Sequence, residues 1–565
     1  MAEVVSRIYS NFRGVDFRGL EVNLVRSPDS LNVWKDYKET ESIRTRPEMA
    51  LKESFDTSVY GVFFYKTGNT EMMLVHSGTT LYKVANGVKT ILFTGLNKAR
   101  SDGFVYNNVW YFKDGLHYLQ YDGETIKEVE GYVPTTSIGR KPSGGGTLHE
   151  DVNLLSDWRI NTFVSDGETL EYHLDAQNIS WDRVPEVYVN GEKVTYAYNV
   201  DYDKGIIKFT NKQYSPPVPL TDGQDNVSIK FMKKVDGYSD RIKKCTLLQV
   251  FDNRVFFSGN KDFPNVIFHC SLNDPSYCSD LDYYNEGLDS AEVKGLVAGN
   301  NVLWVFKEPS QENTTVFYHN PTIDAEYGKI YPSTHSSIAT GCIGKAINFN
   351  DDIVFFSDRG MEAINGDVTT EQVIAHRSTL VDRKLLTEAD YKNMMLEEWE
   401  GYLMVIVGDK VYLADSRGMF ENGNHIEYEW FYWHMPKRIT CTKVYKGILY
   451  LGTEDGIYTL TDYKSDVESY WTTPIDKFEN PHYQKTTSKK SCTVEANGEE
   501  ISVYAKTNKD DDFGLLGTYS TKDAFSCRIK KKKFKDVQLK FSSTKRFSLE
   551  SATLECFIGG YLKNL

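Results

Sequence analysis

What the chain lacks narrows its class before any motif is considered. The N-terminal residues Met1–Arg7 contain no apolar run of the kind that a signal peptide needs. No stretch of eighteen apolar residues occurs, so no transmembrane helix is predicted. The hydrophobic content of 40% is too high for a disordered or collagen-like chain. We therefore expect a protein that is made in a cytoplasm and folds around hydrophobic cores.

Metal-binding and disulfide patterns are also missing. The eight cysteines are scattered and none forms a Cys-x-x-Cys pair, which argues against a zinc site. Reduced, buried thiols are expected, and a later pairing of Cys270 with Cys278 stays open. The net charge of −14 argues against a protein that coats nucleic acid. A polyanion could still pass through a channel of this protein without being gripped.

No catalytic motif is present. The chain has no His-Glu-x-x-His pattern, no Gly-x-Ser-x-Gly elbow and no phosphate-binding glycine loop with a lysine. A glycosidase needs two carboxylates at a set separation, which adjacency in sequence does not establish. Turn formation explains such acids equally well. We predict no catalytic residue, no cofactor, no metal and no small-molecule substrate. The acids considered are Asp280, Asp282, Asp351, Asp352 and the run Asp510–Asp512.

A repeat is the most informative feature that is present. Seven β-type runs recur at intervals of 45 to 53 residues, apart from one interval of 143. Most centre on a polar turn, and a unit of about 40–50 residues made of short strands is typical of a propeller blade. Aromatic residues, at 13%, suit pleated surfaces. We predict an all-β β-propeller with six or seven blades. The runs are Val59–Tyr65, Phe104–Phe112, Leu247–Phe257, Val293–Phe306, Ala346–Phe356, Glu397–Val407 and Lys443–Leu451.

The long interval indicates an inserted β-sandwich domain over residues 135–237. Its left edge is the flexible run Lys141–Gly146, and it contains a hairpin pattern around Asn190-Gly191. Alternating strands are predicted at Gly205–Phe209 and Val227–Phe231. Removing the insertion leaves an interval of about 40 residues, close to the repeat length. The insertion therefore lies between two blades.

The remaining domain limits follow from changes in pattern along the chain. Residues 1–50 are predicted to form an extended segment that joins the propeller, whose two parts are residues 51–134 and 238–470. Clean alternation after residue 471 predicts a C-terminal β-sandwich domain over 471–565. A capping-box pattern at Thr387–Asp390 predicts one helix that continues through Tyr391–Glu398.

Two clusters have alternative interpretations. The run Lys530–Lys533 (Lys530, Lys531, Lys532, Lys533) could contact phosphate or a partner, but it could also protect an edge strand from unwanted pairing. The aromatic run Glu429–Trp433 could stack on a glycan, but within a blade it is more typical of the core between blades.

The order of these features resembles that of the tail-hub proteins of short-tailed bacteriophages, also called nozzle or stabilisation proteins. The resemblance is carried by Ser30–Val33 and Arg44–Met49 before the first blade, and by Ser337–Cys342 leading into Asp352–Gly360. The segment 387–398 with the strands after it, and the C-terminal β-domain, follow in the same order. The chain departs from the family pattern at Val33, where Met is typical, and at Glu48, where Gly is typical.

The resemblance implies a virion structural protein of the viral tail. Such a protein forms a ring, typically of six copies, that closes the DNA-exit channel, retains packaged DNA and supports fibre attachment and DNA ejection. Its expected partners are further copies of itself, portal and adaptor ring proteins, tail fibre or spike proteins, and DNA passing through the channel. The alternatives are a propeller-type carbohydrate-active hydrolase and a non-catalytic receptor-binding adhesin.

Overall fold

Almost all of the regular structure is β. A computed structural model describes residues 3–38, 42–194, 198–325, 328–365, 373–422, 425–461, 466–529 and 532–561. Helix in these ranges is confined to short pieces, and none of them is long and apolar enough to cross a membrane. The α-helices are Tyr238–Lys243 and Asp382–Leu385, and the 3-10 helices are Lys212–Tyr214 and Tyr391–Asn393. The predicted all-β class is confirmed.

Seven four-stranded antiparallel sheets form the blades of a β-propeller. Within each blade the strands are ordered A to D, and the A strands surround a central channel. Blade 1 consists of Val59–Thr67, Thr70–Ser77, Thr80–Ala85 and Val88–Thr94. Blade 2 consists of Asp102–Tyr106, Val109–Lys113, Tyr118–Tyr121 and Ile126–Glu128. Blade 3 consists of Leu247–Phe251, Arg254–Ser258, Val266–His269 and Tyr283–Asn285.

The second half of the ring follows the same order. Blade 4 consists of Val293–Gly299, Val302–Lys307, Val316–His319 and Ser333–His335, with a hairpin Thr322–Asp324 and Gly328–Ile330 between C and D. Blade 5 consists of Ala346–Phe349, Asp352–Ser357, Gly360–Asn365 and Val373–His376. Blade 6 consists of Met395–Trp399, Tyr402–Val407, Lys410–Asn422 and His425–His434. Blade 7 consists of Cys441–Tyr445, Ile448–Gly452, Gly456–Thr461 and Glu48–Ser54.

Tight turns join strand A to strand B. At Asn107-Asn108, Asp252-Asn253 and Asn300-Asn301 both turn residues have φ between 47° and 61°. This is the left-handed geometry of a type I′ turn, which Asn and Asp tolerate better than other side chains. In blade 5 the turn residues are Asn350 and Asp351. Six of the seven predicted β runs cover A–B hairpins, and the first, Val59–Tyr65, lies within strand A of blade 1.

The ring is closed by a strand from the N-terminal part of the chain. Strand D of blade 7, Glu48–Ser54, pairs antiparallel with strand C, Gly456–Thr461. After four further residues the chain begins strand A of blade 1 at Val59. Backbone hydrogen bonds therefore hold the first and last parts of the propeller together, in addition to side-chain packing between blades.

A β-sandwich separates blades 2 and 3. Its strands lie within the predicted limits 135–237, and its two sheets enclose one hydrophobic core that includes Phe163, Phe209 and Ile229. The first sheet is ordered Thr147–Leu148, Thr135–Arg140, Trp158–Phe163, Val227–Met232, Glu186–Val189 and Glu192–Val194. The second is ordered Glu171–His173, Ile206–Phe209 and Tyr198–Asp201.

An eleven-stranded sheet combines both ends of the chain. Its C-terminal strands are Ser469–Thr472, Tyr483–Thr507, Gly514–Thr521, Ala524–Cys527, Lys532–Phe534, Val537–Ser543 and Phe547–Tyr561. Its N-terminal strands are Glu3–Tyr9, Ser30–Leu31, Val33–Lys35 and Ile43–Thr45. A parallel pair, Gly14–Val15 with Arg26–Ser27, lies between them in sequence. The N-terminal segment thus belongs to this sheet as well as to the propeller.

The C-terminal sheet and the propeller share a core. Trp34 and Trp471 from the sheet lie in one buried cluster with Trp433 of blade 6 and Leu451 of blade 7. Register shifts between the two longest strands allow the sheet to bend over its own apolar residues. The C-terminal β-domain is therefore anchored to the outer part of blades 6 and 7.

The predicted helix through residues 391–398 is wrong. The structure has a 3-10 turn at Tyr391–Asn393, and strand A of blade 6 begins at Met395. Met395 and Trp399 are buried in the core that this strand shares with blade 7 and the C-terminal sheet. Pairing within the ring therefore overrides the local helical pattern.

Candidate functional site

Charged side chains gather where the A strands begin. Asp102 of blade 2 interacts electrostatically with Lys345 at the start of blade 5 and with Lys443 of blade 7. Neither of these blades is adjacent to blade 2, so the three groups face one another across the central channel. We call this end of the channel the channel mouth. Its charged residues are Arg100, Asp102, Lys294, Lys345, Glu397 and Lys443.

A cavity of about 880 Å³ opens at the channel mouth and extends over blades 2 to 6. This volume suits a small ligand rather than a single ion. The lining has a surplus of two positive charges, although the whole chain has a net charge of −14. The basic residues are Arg100, Lys244, Lys261, Lys294, Lys345 and Lys392, and the acidic residues are Asp114, Asp262, Glu292 and Glu308.

The four carboxylates of the lining all have partners. Lys244 Nζ lies 2.8 Å from an oxygen of Asp262. Lys294 Nζ lies 2.6 Å from Glu292 and 3.4 Å from Glu308. Asp114 accepts backbone N–H groups at 2.6 to 2.9 Å. The acids are therefore neutralised or solvated within the protein, and the surplus positive charge lies with the other cations.

Arg100 is fixed by backbone atoms rather than by an acid. Its Nε donates to the carbonyl oxygen of Thr440 at 3.0 Å, and its two terminal nitrogens donate to Met394 and Asn393 at 3.2 and 2.7 Å. Burial lowers the pKa of Arg100 from its ordinary value. The guanidinium is held in place across blades 6 and 7 while its charge is not matched by a carboxylate at ion-pair distance among the described residues.

Lys345 is the least compensated cation of the channel mouth. Its ammonium makes no hydrogen bond or ion pair within the part of the chain that the structure describes. Burial lowers the pKa of Lys345, and the positive charges of Arg100 and Lys294 lower it further, while Asp102 acts in the opposite direction. An uncompensated amine in a partly buried position is unfavourable unless something else supplies a negative charge.

Two acids of the channel mouth titrate above their ordinary range. Protein atoms around the channel mouth partly desolvate the solvent-exposed Asp102 and raise its pKa, although the Gly103 N–H, which donates to its carboxylate at 2.8 Å, and the charge of Lys443 act against this. Burial likewise raises the pKa of Glu397, with Lys443 opposing. Asp102 and Glu397 both border the central channel. Neither of them was among the acids considered from the sequence.

The structure separates the roles of Asp351 and Asp352. Asp351 is a turn residue with φ of 64°, as a turn interpretation predicts. Asp352 begins strand B, accepts from Arg377 Nε at 2.9 Å and from the Tyr428 hydroxyl at 2.5 Å. The carboxylate of Asp352 therefore links blades 5 and 6.

Asp280 and Asp282 lie in the loop between strands C and D of blade 3. Burial raises the pKa of Asp282 to about 6, and the charges of Asp151 and Asp280 contribute. Burial and Asp151 also raise the pKa of Asp280. Of the run Asp510–Asp512, Asp510 caps a turn by accepting from the Thr507 hydroxyl at 2.6 Å.

The lysine run is only partly described. Lys530, Lys531 and the side chain of Lys532 lie outside the described residues. Lys533 is exposed and belongs to the short strand Lys532–Phe534, which pairs on one side only among the strands that the structure describes. This position suits edge protection. A contact of the run with phosphate or a partner stays a prediction.

The aromatic run 429–433 lies in the core. It belongs to strand D of blade 6, where Trp430, Phe431 and Trp433 are fully buried. A glycan-stacking role for this run is therefore wrong. An exposed aromatic ring occurs elsewhere, where Trp181 of the inserted sandwich stacks on the half-buried Tyr202 with ring centroids 3.9 Å apart.

The thiols are buried and reduced. Cys270 and Cys278 are both free and lie in one hydrophobic cluster with Cys245. Burial raises the pKa of Cys270 to about 12, so this thiol is protonated and unreactive at neutral pH. Within the described residues, no group of three or more His, Cys, Asp or Glu side chains is arranged to hold a metal ion.

A buried polar junction joins the N-terminal segment to blade 6. The Asn32 side-chain oxygen accepts from Arg46 Nε at 2.9 Å and from the His434 N–H at 2.8 Å. Arg46 also donates to the carbonyl oxygens of Pro47 and His434 at 2.8 and 3.2 Å. Both residues belong to the short motifs before the first blade, although the sequence does not show what they contact.

Comparison with known proteins supports no functional assignment. No protein-family model and no curated protein matches the chain. BamB from Moraxella catarrhalis is 10% identical with a TM-score of 0.34, over 74% of this chain and 98% of BamB. YCF48, solved bound to D1 peptide, is 8% identical with a TM-score of 0.33, over 74% and 99%. An exo-beta-1,3-galactanase from Phanerochaete chrysosporium is 8% identical with a TM-score of 0.22, over 93% and 100%. The propeller assignment rests on the seven sheets themselves.

Proposed function

We propose that this chain is a structural subunit of a bacteriophage tail hub, which assembles into a ring around the DNA-exit channel. The sequence resemblance motivates the proposal, and the residues that carry it have a structural role. Asn32 and Arg46 lie at the junction where the N-terminal segment crosses from the C-terminal sheet to the propeller. Such a junction holds the C-terminal sheet and the propeller together, which suits a subunit of a ring under mechanical load.

The observation that carries the proposal is an open edge on the eleven-stranded sheet. The leading strand, Glu3–Tyr9, pairs continuously with Ala552–Ile558 on one side, and no described strand pairs with its other side. Val4 and Ile8 point outward and are 56% and 60% exposed. The strand has no lysine, no proline and no register shift, and its Arg7 is turned inward to Asp476, 2.8 Å away, so Val4 and Ile8 are not shielded by a charge on the outward face.

A second free edge makes head-to-tail assembly geometrically reasonable. The strand Gly514–Thr521 pairs with Tyr483–Thr507 and with no other strand among the described residues. Its Leu515 side chain is 55% exposed. If the leading strand of one copy pairs with Gly514–Thr521 of the next, the contact is heterologous, and heterologous contacts close into rings when the rotation allows it.

The proposed role follows from such a ring and from the charge of the chain. The resemblance implies six copies below the portal and adaptor rings, with tail fibres or spikes attached. A channel through which DNA leaves must not grip it, and a net charge of −14 per chain disfavours tight binding of a polyanion. The ring would retain packaged DNA and open at infection.

A single substitution at the open edge tests the proposal. Ile8→Lys places a charge on the outward face of the leading strand, so we expect rings in negative-stain images of the wild type and dispersed monomers for the variant. Ile323→Lys is the control, because Ile323 is 88% exposed on a blade 4 hairpin away from this edge. Rings that persist in Ile8→Lys with unchanged stability would contradict the assigned edge.

The second candidate function is a propeller-type carbohydrate-active hydrolase. The observation that favours it is the raised pKa of Asp282, about 6, with Asp280 and Asp151 close enough to influence it. A general acid needs a carboxyl that stays protonated near neutral pH. We expect no glycan hydrolysis by the wild type. Turnover that is lost in Asp282→Asn and kept in Asp352→Asn would instead support the hydrolase.

A further inference from the structure

We propose that the channel mouth binds a small oxyanionic ligand, with a carboxylate or phosphate group held by Lys345 and Arg100. This binding site is independent of ring assembly. It lies on the propeller axis at the start of the A strands, whereas the open edge belongs to the eleven-stranded sheet.

The first argument is the uncompensated ammonium of Lys345. The cavity places it beside Arg100 and Lys294, and the described residues give it no hydrogen bond or ion pair. Lys294 is already paired with Glu292 and Glu308. A protein rarely retains a cation without an ion-pair partner close to two other cations, because desolvation and repulsion both oppose folding and the more distant Asp102 offsets them only in part. A bound oxyanion would supply the missing partner.

The second argument is the preorganisation of Arg100. A guanidinium has five N–H donors, of which three are used by backbone carbonyl oxygens. Two donors remain while the plane of the group is fixed. Charge-assisted hydrogen bonds from a fixed guanidinium to an oxyanion are short and strong. The backbone contacts therefore orient Arg100 without neutralising it.

The size and charge of the cavity identify the class of ligand. About 880 Å³ accommodates a small organic molecule. The surplus of two positive charges matches a ligand that carries one or two negative charges. The acidic chain as a whole would not attract anions, so the local surplus must act at short range.

The experiment is isothermal titration calorimetry of the full chain with two probes, inorganic phosphate and citrate, in separate runs at low ionic strength. Saturable binding of phosphate alone identifies a phosphate site, and binding of citrate alone identifies a carboxylate site. We expect at least one of the two to bind. If neither probe binds the wild type, the proposal is overturned.

Two variants test whether Lys345 is responsible. Lys345→Met keeps the length of the side chain without its charge, and we expect at least a tenfold loss of affinity. Lys52→Met is the control, because Lys52 is exposed on strand D of blade 7, and this variant should bind the probes as the wild type does. Without added anion, Lys345→Met should melt at the same temperature as the wild type or higher, because an unpaired charge has been removed. Unchanged affinity in Lys345→Met would also overturn the proposal.

Discussion

At the scale of single residues, buried polar contacts fix how the N-terminal segment lies on the propeller. Arg26 donates two hydrogen bonds to Glu429, at 2.8 and 2.7 Å, and both side chains are buried. The guanidinium also lies 4.1 Å from the ring of Phe420. Burial raises the pKa of Glu429, and Arg26 counteracts this. Removing Arg26 would leave the buried Glu429 with only the half-exposed Arg13, 3.7 Å away, as a cationic partner.

Arg26→Ala should therefore be strongly destabilising. We expect a loss of about 3–5 kcal/mol in the free energy of unfolding, as is typical when one half of a buried ion pair is removed. Chemical denaturation followed by tryptophan fluorescence measures it. Lys38→Ala is the matched control, since the exposed Lys38 pairs with Glu400 and its removal should leave the free energy of unfolding nearly unchanged. Similar losses for both variants would show that the buried Arg26–Glu429 ion pair contributes no more to stability than an exposed one.

The contacts of His376 with two carboxylates predict that the stability of the fold depends on pH. Burial lowers its pKa, but Asp382 at 2.6 Å and Glu362 at 3.3 Å outweigh burial and raise the pKa to about 10. Because the folded pKa lies above the unfolded value of 6.5, the stabilisation is complete below pH 6.5 and is lost as the pH rises toward 10. The melting temperature of wild type should exceed that of His376→Gln most at about pH 6, and the gap should narrow toward about pH 10. A constant gap would contradict this assignment.

At the scale of elements, the A–B hairpins are the part of the fold that the sequence predicts best. Each combines two alternating strands with a turn that requires positive φ, so the signal is local. In blades 2, 3 and 4 the C and D strands are shorter than the A and B strands, and strand D of blade 7 comes from residues 48–54. The helix predicted at 391–398 failed because strand A of blade 6 is selected by its neighbours in the ring.

The turns themselves can be tested at Asn301. Its φ of 61° is costly for a β-branched side chain, so Asn301→Val should lower the free energy of unfolding by about 1–2 kcal/mol. Asn301→Gly should cost little, because glycine adopts this geometry freely. Chemical denaturation of both variants provides the comparison. Equal stability of the two would mean that the A–B turn does not require left-handed residues at this position.

At the scale of the whole molecule, pairing over long sequence separation produces the features that no local pattern could predict. Glu3–Tyr9 pairs with residues more than 540 positions away, and the channel mouth combines Asp102, Lys345 and Lys443. Each of these residues looks like an ordinary surface charge in the sequence. The acids considered from the sequence, such as Asp280 with Asp282, are by contrast close neighbours in the chain. Acids that are close in sequence mark turns more often than functional sites.

The central claim is that the chain assembles into a ring, and the mass of the purified protein in solution tests it most directly. We expect a species with about six times the mass of one chain, alone or after mixing with portal and adaptor proteins, and a central channel in negative-stain images of the same sample. A stable monomer under all of these conditions would contradict the account.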